Sequence, residues 1–517
     1  MRIPRTLRAV AGAAALAGLA PAAALAQAAA RAADPPPGAV AAPIRGPAEL
    51  RERLEALLAD PALARAHVGL AVQVAETGEV LFENEAEKRF VPASNTKIVT
   101  AAVALAVLGP EFRWTTRLVA DGPIRGGALE GDLWIVGGGD PRLTREEIAA
   151  WPALLREAGI ERIEGAVIGD DRAFEPWQWS EGWAWDDLHA GWGAGVSALQ
   201  LHPNTVRGVV IPGAAPGDVA ELRPETARPL PPIRNLVRTG APGSDVRLRF
   251  LPPPEGGPVE LRGWVPAGSD SVSLYLANPH PTLHLLETVA ARLAAAGIEV
   301  RDGTRRAADE EGPARPGWSA ELASEPLPEI LAALMKPSDN QIAETVLRTL
   351  GREAGGGGSA AEGVEVVEET LADWGIEPGA VYLTDGSGLS RYNEVTPNAL
   401  VRLLRAMWRR PDFPVFEASM PVAAVDGTLR RRLAGTPGAG NVKAKTGSLT
   451  SVRALSGYLR DGAGETLIFS LLLNGYDAPG AVAVALEDLL VEQLALYRRP
   501  VEPGWPAWRD GAGAPRP

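Results

Sequence analysis

Val68, Leu70, Val72 and Val74 recur at every second position, the turn Glu76-Thr77-Gly78 interrupts them, and Val80 and Phe82 resume the alternation. A period of two turns one side of an extended chain toward a core, so this stretch reads as a β-hairpin. From Pro92 onward the period changes. Ile98, Ala101, Ala102, Leu105 and Leu108 recur at three and four, which predicts a strongly apolar, buried helix. An earlier helix is expected over 47–63 from Leu50, Leu54, Leu57 and Leu58. Near the other end, 454–459 and 466–473 read as two strong strands around Asp461-Gly462. A helix carrying Leu486, Leu489, Leu490, Leu494 and Tyr497 follows them.

Between about residues 122 and 270 the texture shifts to short apolar runs broken by Gly, Pro and Asp, as in 133–136, 166–168 and 246–250. That is a β-rich region. Helical spacing returns over 281–296 and 328–334, and 355–358 is a glycine loop. Strand pairs at both ends with helices between them suggest one antiparallel sheet closed by both termini, an α+β fold with the middle β region inserted. The expected division is a leader over 1–26, an Ala/Pro linker over 27–47, a first part over 48–115, the insertion over 116–278, a second part over 279–499 and a Pro/Gly tail over 500–517.

The leader rests on Arg2, Arg5 and Arg8 ahead of an uncharged Ala/Leu-rich run from Ala9 to Leu25, with small residues at Ala24 and Ala26 for cleavage. It reads as a secretory signal rather than an uncleaved anchor, because the run is weakly hydrophobic and broken by Pro21. No later segment is apolar enough to span a bilayer, so membrane association is expected to be at most peripheral. At 517 residues the chain exceeds one hydrophobic core, and with 51 basic against 64 acidic residues its net charge of −13 makes nucleic acid a poor partner. The chain has no cysteine, which excludes disulfides, thiolate metal sites and a cysteine nucleophile.

The basic residues are 46 arginines and five lysines, Lys88, Lys97, Lys336, Lys443 and Lys445. Lysine can give up a proton near neutral pH when it is desolvated, and arginine cannot, so each surviving lysine is a candidate for proton chemistry. Lys97 follows Ser94 by three positions at the start of the apolar helix, which puts both side chains on one face. A desolvated lysine there can take the hydroxyl proton of a serine nucleophile. Lys336-Pro337-Ser338-Asp339-Asn340 is a polar turn between two apolar helices, and Lys445-Thr446-Gly447-Ser448 opens the C-terminal strand region. Each of the three alone has an ordinary structural reading as a helix cap, a helix start and a strand start.

Together, in that order, Ser-x-x-Lys, Ser-x-Asn and Lys-Thr-Gly resemble the signature of penicillin-recognising serine acyltransferases. The 244 positions from Ser94 to Ser338, and the segments GGGDP at 137–141, GDD at 169–171, VSAL at 196–199, SDNQIAE at 338–344, DGSGLSR at 385–391 and DGT at 426–428, narrow the likeness. Over roughly 47–497 the chain is similar to the D-alanyl-D-alanine carboxypeptidase/endopeptidase family of the penicillin-binding protein 4 type.

The resemblance implies a serine β-lactamase/DD-peptidase-like sheet flanked by helices and an exported, periplasmic enzyme. It implies hydrolysis of D-Ala-D-Ala bonds and D-Ala-diaminopimelate cross-links in peptidoglycan stem peptides through an acyl-Ser94 intermediate, with β-lactams as covalent inhibitors. In that reading Lys97 is the general base, and Ser338 and Asn340 continue the proton relay and hold the substrate amide. Lys445 lowers the proton affinity of Lys97 and attracts a carboxylate, and Thr446, Gly447 and Ser448 bind substrate along the strand. Backbone N–H groups of Ser94 and Ser448 form the oxyanion hole. The alternatives are a β-lactamase or esterase of the same fold, for which Glu344 and Glu369 lie outside the Glu-x-x-Leu-Asn context, and a non-catalytic wall-binding scaffold.

Other features get plainer readings. Turn chemistry accounts for the glycine and aspartate groups at 137–141, 169–171 and 385–388. Trp183, Trp185 and Trp192 are expected to pack rather than to form a sugar platform. His280 and His284 have no third ligand in pattern, so neither a metal nor a cofactor is expected.

Overall fold

The computed structural model describes residues 43–225, 231–253 and 257–499. The expected leader, the linker up to residue 42 and the tail from residue 500 lie outside the described residues. Among the described residues no helix is long and apolar enough to cross a membrane.

A five-stranded antiparallel sheet runs in the order Lys443–Leu449, Val452–Arg460, Thr466–Asn474, His67–Val74, Val80–Asn84. The N-terminal hairpin therefore joins the C-terminal strands inside one sheet, through pairs from His67 with Asn474 to Val74 with Leu467. Both faces of this sheet are covered, so its central strands carry apolar residues on both sides of the pleat. Ala454, Tyr458, Ile468 and Leu472 face one core, beneath the buried helices Thr96–Leu108, Leu327–Met335, Asn340–Leu350 and Pro397–Trp408. Leu455, Leu459, Phe469 and Leu471 face the other, beneath Pro47–Leu58 and Gly480–Leu496. Ile44–Arg45 pairs in parallel with Tyr497–Arg498 and ties the two ends of the described chain together.

The chain leaves this body near Phe112–Trp114 and builds two further layers. One is a five-stranded sheet ordered Thr304–Arg306, Val167–Asp170, Asp132–Val136, Thr115–Asp121, Pro316–Ala323, with Pro281–Ala295 packed on it through Leu285, Leu286, Val289 and Leu293. The other comprises two three-stranded sheets made from residues 205–277 around Val210, Val237, Phe250, Leu261 and Leu276.

The expected break at residue 278 falls inside this arrangement. Strands Thr304–Arg306 and Pro316–Ala323 pair with Val167–Asp170 and Thr115–Asp121, so the chain returns to the first body near Ser324. There Ser324 N donates to Trp114 O at 2.9 Å and Leu327 N to Phe112 O at 2.9 Å, stitching the exit to the re-entry. Thr304–Arg306 has only three residues and no apolar one, and in Pro316–Ala323 Trp318, Ala320 and Leu322 alternate with exposed residues but are themselves only half-buried, so the signal for both strands is weak.

Candidate active site

Ser94 lies in a single 3-10 turn, Ala93–Asn95, that runs straight into helix Thr96–Leu108. Ala93 takes a left-handed conformation with φ 47°, and the next turn places Lys97 beneath Ser94, with Nζ 3.1 Å from Oγ. Ser338 is also left-handed, with φ 66°, and Asp339 caps helix Asn340–Leu350 by accepting from Ile342 N at 2.9 Å. Strand Lys443–Leu449 is the edge of the five-stranded sheet and carries Lys445, Thr446, Gly447 and Ser448.

All three motifs meet. Ser94, Ser338, Asn340 and Ser448 line one cavity of about 360 Å³, with Lys97 and Lys445 fully buried beneath it. Lys97 Nζ has three oxygen partners, Ser94 Oγ at 3.1 Å, Asn340 Oδ1 at 2.6 Å and the Ser387 carbonyl at 2.6 Å. Lys445 Nζ donates to Ser338 Oγ at 2.8 Å and to the Thr446 carbonyl at 2.9 Å. Thr446 Oγ1 donates to Thr428 Oγ1 at 2.8 Å, which brings the Asp-Gly-Thr segment to the edge strand.

Burial lowers the Lys97 ammonium to about 8, against the opposing pull of the Asp385, Asp339 and Glu344 charges. Burial also pushes Lys445 well below the usual lysine range, and repulsion from Lys97 adds to it. Asn340 Oδ1 and the Ser387 carbonyl are acceptors only. A neutral Lys97 amine spends its two hydrogens on them and keeps its lone pair for Ser94.

The remaining three lysines behave differently. Lys336 pairs with Asp426 at 2.6 Å, Lys443 with Glu417 at 3.1 Å and Lys88 with Glu85 at 2.7 Å. Lys336 Nζ also donates to the Met420 carbonyl at 3.0 Å, but among the described residues the two lysines of the cleft alone have no carboxylate in contact.

Gly447 has a reason to be glycine other than room for substrate. A Cβ there would stand 2.6 Å from the Pro92 carbonyl oxygen and 3.2 Å from Ala93 Cβ, so its bare backbone lets the edge strand close on the Ser94 turn.

Sequence reading gave the loop 385–390 no part in the site, assigning 385–388 to turn chemistry and using 385–391 only as a mark of family likeness. Its Ser387 carbonyl receives Lys97, and it is built around two buried carboxylates. Asp385 accepts from Gly388 N at 2.7 Å, Ser390 N at 2.7 Å and Trp183 Nε1 at 2.9 Å. Glu344 accepts from Gly386 N at 3.0 Å, Ser387 N at 2.9 Å and Ser180 Oγ at 2.6 Å. Burial raises the Glu344 carboxyl, and the neighbouring Asp385 charge raises it further. The available signal was the DGSGLSR run itself, because a left-handed Gly388 (φ 80°) whose Cβ would strike the Ala93 carbonyl is a close-approach glycine.

The insertion supplies the opposite wall through Gly182, Ala184, Asp187 and Trp192. The packing expected of the three tryptophans is met in part. Trp183 is half-buried, whereas Trp185 and Trp192 are each 57% exposed, because residues 171–190 form little regular structure and end on the cleft rather than in a core. The insertion also grips the second motif: Asn340 Nδ2 donates to the Trp192 carbonyl at 2.8 Å, Gln341 Nε2 to the Leu201 carbonyl at 2.9 Å, and His202 Nε2 lies 3.0 Å from Asp339 Oδ2.

Comparison with known proteins agrees with this geometry. The model of the D-Ala-D-Ala carboxypeptidase 3 (S13) family matches residues 50–494. The chain belongs to that family. It is 34% identical over 468 residues to the D-alanyl-D-alanine carboxypeptidase of Actinomadura sp. (strain R39), covering 87% of this chain and 85% of that protein. The crystal structure of penicillin binding protein 4 (dacB) from Haemophilus influenzae superposes with a TM-score of 0.76 at 27% identity, covering 86% of this chain and 99% of that one. A second structure of the Haemophilus protein, complexed with a novel β-lactam, superposes at 0.72 with 26% identity over 86% of this chain and 99% of that one. The α+β fold and the peptidase class follow from these likenesses.

Proposed function

We propose that this carboxypeptidase-family enzyme is a serine DD-peptidase that acts through an acyl-Ser94 intermediate on the D-Ala-D-Ala ends and D-Ala-diaminopimelate cross-links of peptidoglycan stem peptides. The observation that carries this reading is the contrast among the lysines: Lys97 and Lys445 are buried against neutral oxygens while the other three sit against carboxylates. Burial with no carboxylate in contact outweighs the more distant charges of Asp385, Asp339 and Glu344 and favours the neutral amine, the form Lys97 needs as a general base.

Ser94 Oγ attacks the carbonyl carbon of the D-Ala that precedes the scissile bond, and its proton passes to Lys97 Nζ. The carbonyl oxygen becomes an oxyanion, held by the N–H groups of Ser94 and Ser448. When the C–N bond breaks, the leaving amine takes the proton that Lys97 received, passed by way of the Ser338 hydroxyl beside Lys445, while Asn340 orients Lys97 and the substrate amide. Water then attacks the ester carbon and gives a proton to Lys97, which returns it to Ser94 Oγ as the ester C–O bond breaks and the new carboxylic acid leaves. Thr446 and Ser448 hold the substrate backbone on the edge strand, and the substrate carboxylate brings Lys445 the counter-ion that the protein does not supply, favouring its ammonium form. A β-lactam follows the same first step and stays as the ester, in keeping with the β-lactam complex of the Haemophilus relative. The leader read from residues 1–26 of the sequence supports a site of action outside the cytoplasm, in the periplasm.

Against a β-lactamase of the same fold stands the occupation of Glu344, whose two oxygens are taken by backbone N–H groups, Ser180 and Arg348. The test is labelling of the purified protein by a fluorescent penicillin, read beside D-alanine release from a D-Ala-D-Ala peptide. Persistent labelling with D-alanine release is expected. A folded protein that takes no label removes the proposal, and turnover of the label within seconds favours the lactamase.

A further inference from the structure

The three-stranded sheet ordered Ile233–Gly240, Val259–Pro266, Arg247–Leu251 has one face in the core and one in solvent. Val237, Phe250, Leu261 and Val265 point inward and are buried. The register aligns Arg238 with Trp264 and Arg247, Leu236 with Arg262 and Arg249, and Arg234 with Glu260 and Leu251. Side chains paired across strands, and those two apart along a strand, share a face. The outer face therefore carries Arg234, Arg238, Arg247, Arg249 and Arg262 against the single carboxylate of Glu260, and all five arginines are exposed.

This stands out in a chain whose net charge is −13. Glu260 pairs with Arg234 at 3.1 Å and Arg262 at 2.7 Å, so it cannot neutralise the face. Trp264 is 39% exposed at its middle, with the Arg247 guanidinium 5.4 Å from its ring centroid, and Leu236 and Leu251 are half-buried beside the arginines. Asp245 lies at the edge, in the segment that leads into Arg247.

We propose that this sheet face docks the enzyme on an anionic lipid bilayer, with the guanidiniums on headgroup phosphates and Trp264 at the interface. Guanidinium meets phosphate in a bidentate fork, and tryptophan favours the headgroup level of a membrane. The side chains stand on a paired sheet, so several reach one planar anionic surface together at little ordering cost. The face is formed by the insertion, and none of these arginines lines the catalytic cavity.

The experiment is co-sedimentation of the full chain with vesicles of phosphatidylcholine alone or with about one third phosphatidylglycerol, at low and high salt. Binding to the anionic vesicles alone, lost by about 0.5 M NaCl, is expected from screening. The triple variant Arg247→Glu, Arg249→Glu, Arg262→Glu should bind at least about tenfold more weakly. Its labelling by fluorescent penicillin should match the unmutated protein, which also reports that it is folded. Trp264→Ala, a milder change, should weaken vesicle binding without altering the salt dependence. Failure of the unmutated protein to bind anionic vesicles overturns the proposal, as does equal binding by the triple variant. Capture by isolated wall sacculi or single-stranded DNA with no vesicle binding would assign the face to another polyanion and would likewise overturn it.

Discussion

Two regions of this molecule concentrate positive charge and treat it in opposite ways. In the cleft, two of the chain's five lysines are withdrawn from solvent and given neutral oxygens as partners. On the inserted sheet, five arginines stand in water on one face. The difference follows from the acids themselves. An ammonium can be driven by burial to surrender its proton, whereas a guanidinium keeps its charge under nearly any condition. In the cleft burial makes the lysine charge labile, and on the sheet the arginine charge persists.

Substitutions can break this contrast at graded depth. Ser94→Ala removes the nucleophile and should abolish penicillin labelling and D-alanine release, a loss of roughly 10³-fold or more, with an unchanged circular dichroism spectrum. Lys97→Arg puts the permanent cation where the labile one belongs. Acylation by a fluorescent penicillin should fall about 10²- to 10⁴-fold, as for loss of a general base. Glu344→Ala acts one step further from the chemistry. It leaves the loop that holds Lys97 without an acceptor, since Gly386 N and Ser387 N both donate to that carboxylate and the Ser387 carbonyl receives Lys97 Nζ. With the carbonyl displaced by even about an ångström, acylation should slow by roughly 10²-fold. Gly447→Ala forces a Cβ against the Pro92 carbonyl and moves the edge strand from the Ser94 turn, so a loss of about tenfold is expected in the same assay. The smallest effect belongs to the other region. Reversing three arginines of the sheet face should leave the acylation rate unchanged within about twofold, since surface substitutions away from a site do little.

Much of the first body was legible because its signals are local. The period of two over 68–74, the apolar runs over 454–459 and 466–473, and the three-four spacing from Ile98 correspond to the strands and helix observed. Ser94, Lys97, Ser338, Asn340 and Lys445 stood out in the sequence because the proposed chemistry needs particular residue types at short spacings, and the fold brings their side chains together from positions far apart. Three things were not legible. The Ser387 carbonyl is a backbone group, which no residue type announces. The return of the chain near Ser324 depends on pairing between strands distant in sequence, Pro316–Ala323 with Thr115–Asp121. The basic face exists through register alone: its arginines are scattered over three strands, and only lateral pairing puts them on one side.

The central claim is that Lys97 works as a neutral base aimed at Ser94, and the pH dependence of acylation tests it most directly. The neutral form gains population as pH rises through about 8, because burial has brought the ammonium down to that value. The second-order rate constant for penicillin acylation should therefore climb about tenfold per pH unit below that point and level off above it. A rate independent of pH from about 6 to 9, or a Lys97→Arg variant that acylates within a few-fold of the unmutated enzyme, would contradict the account.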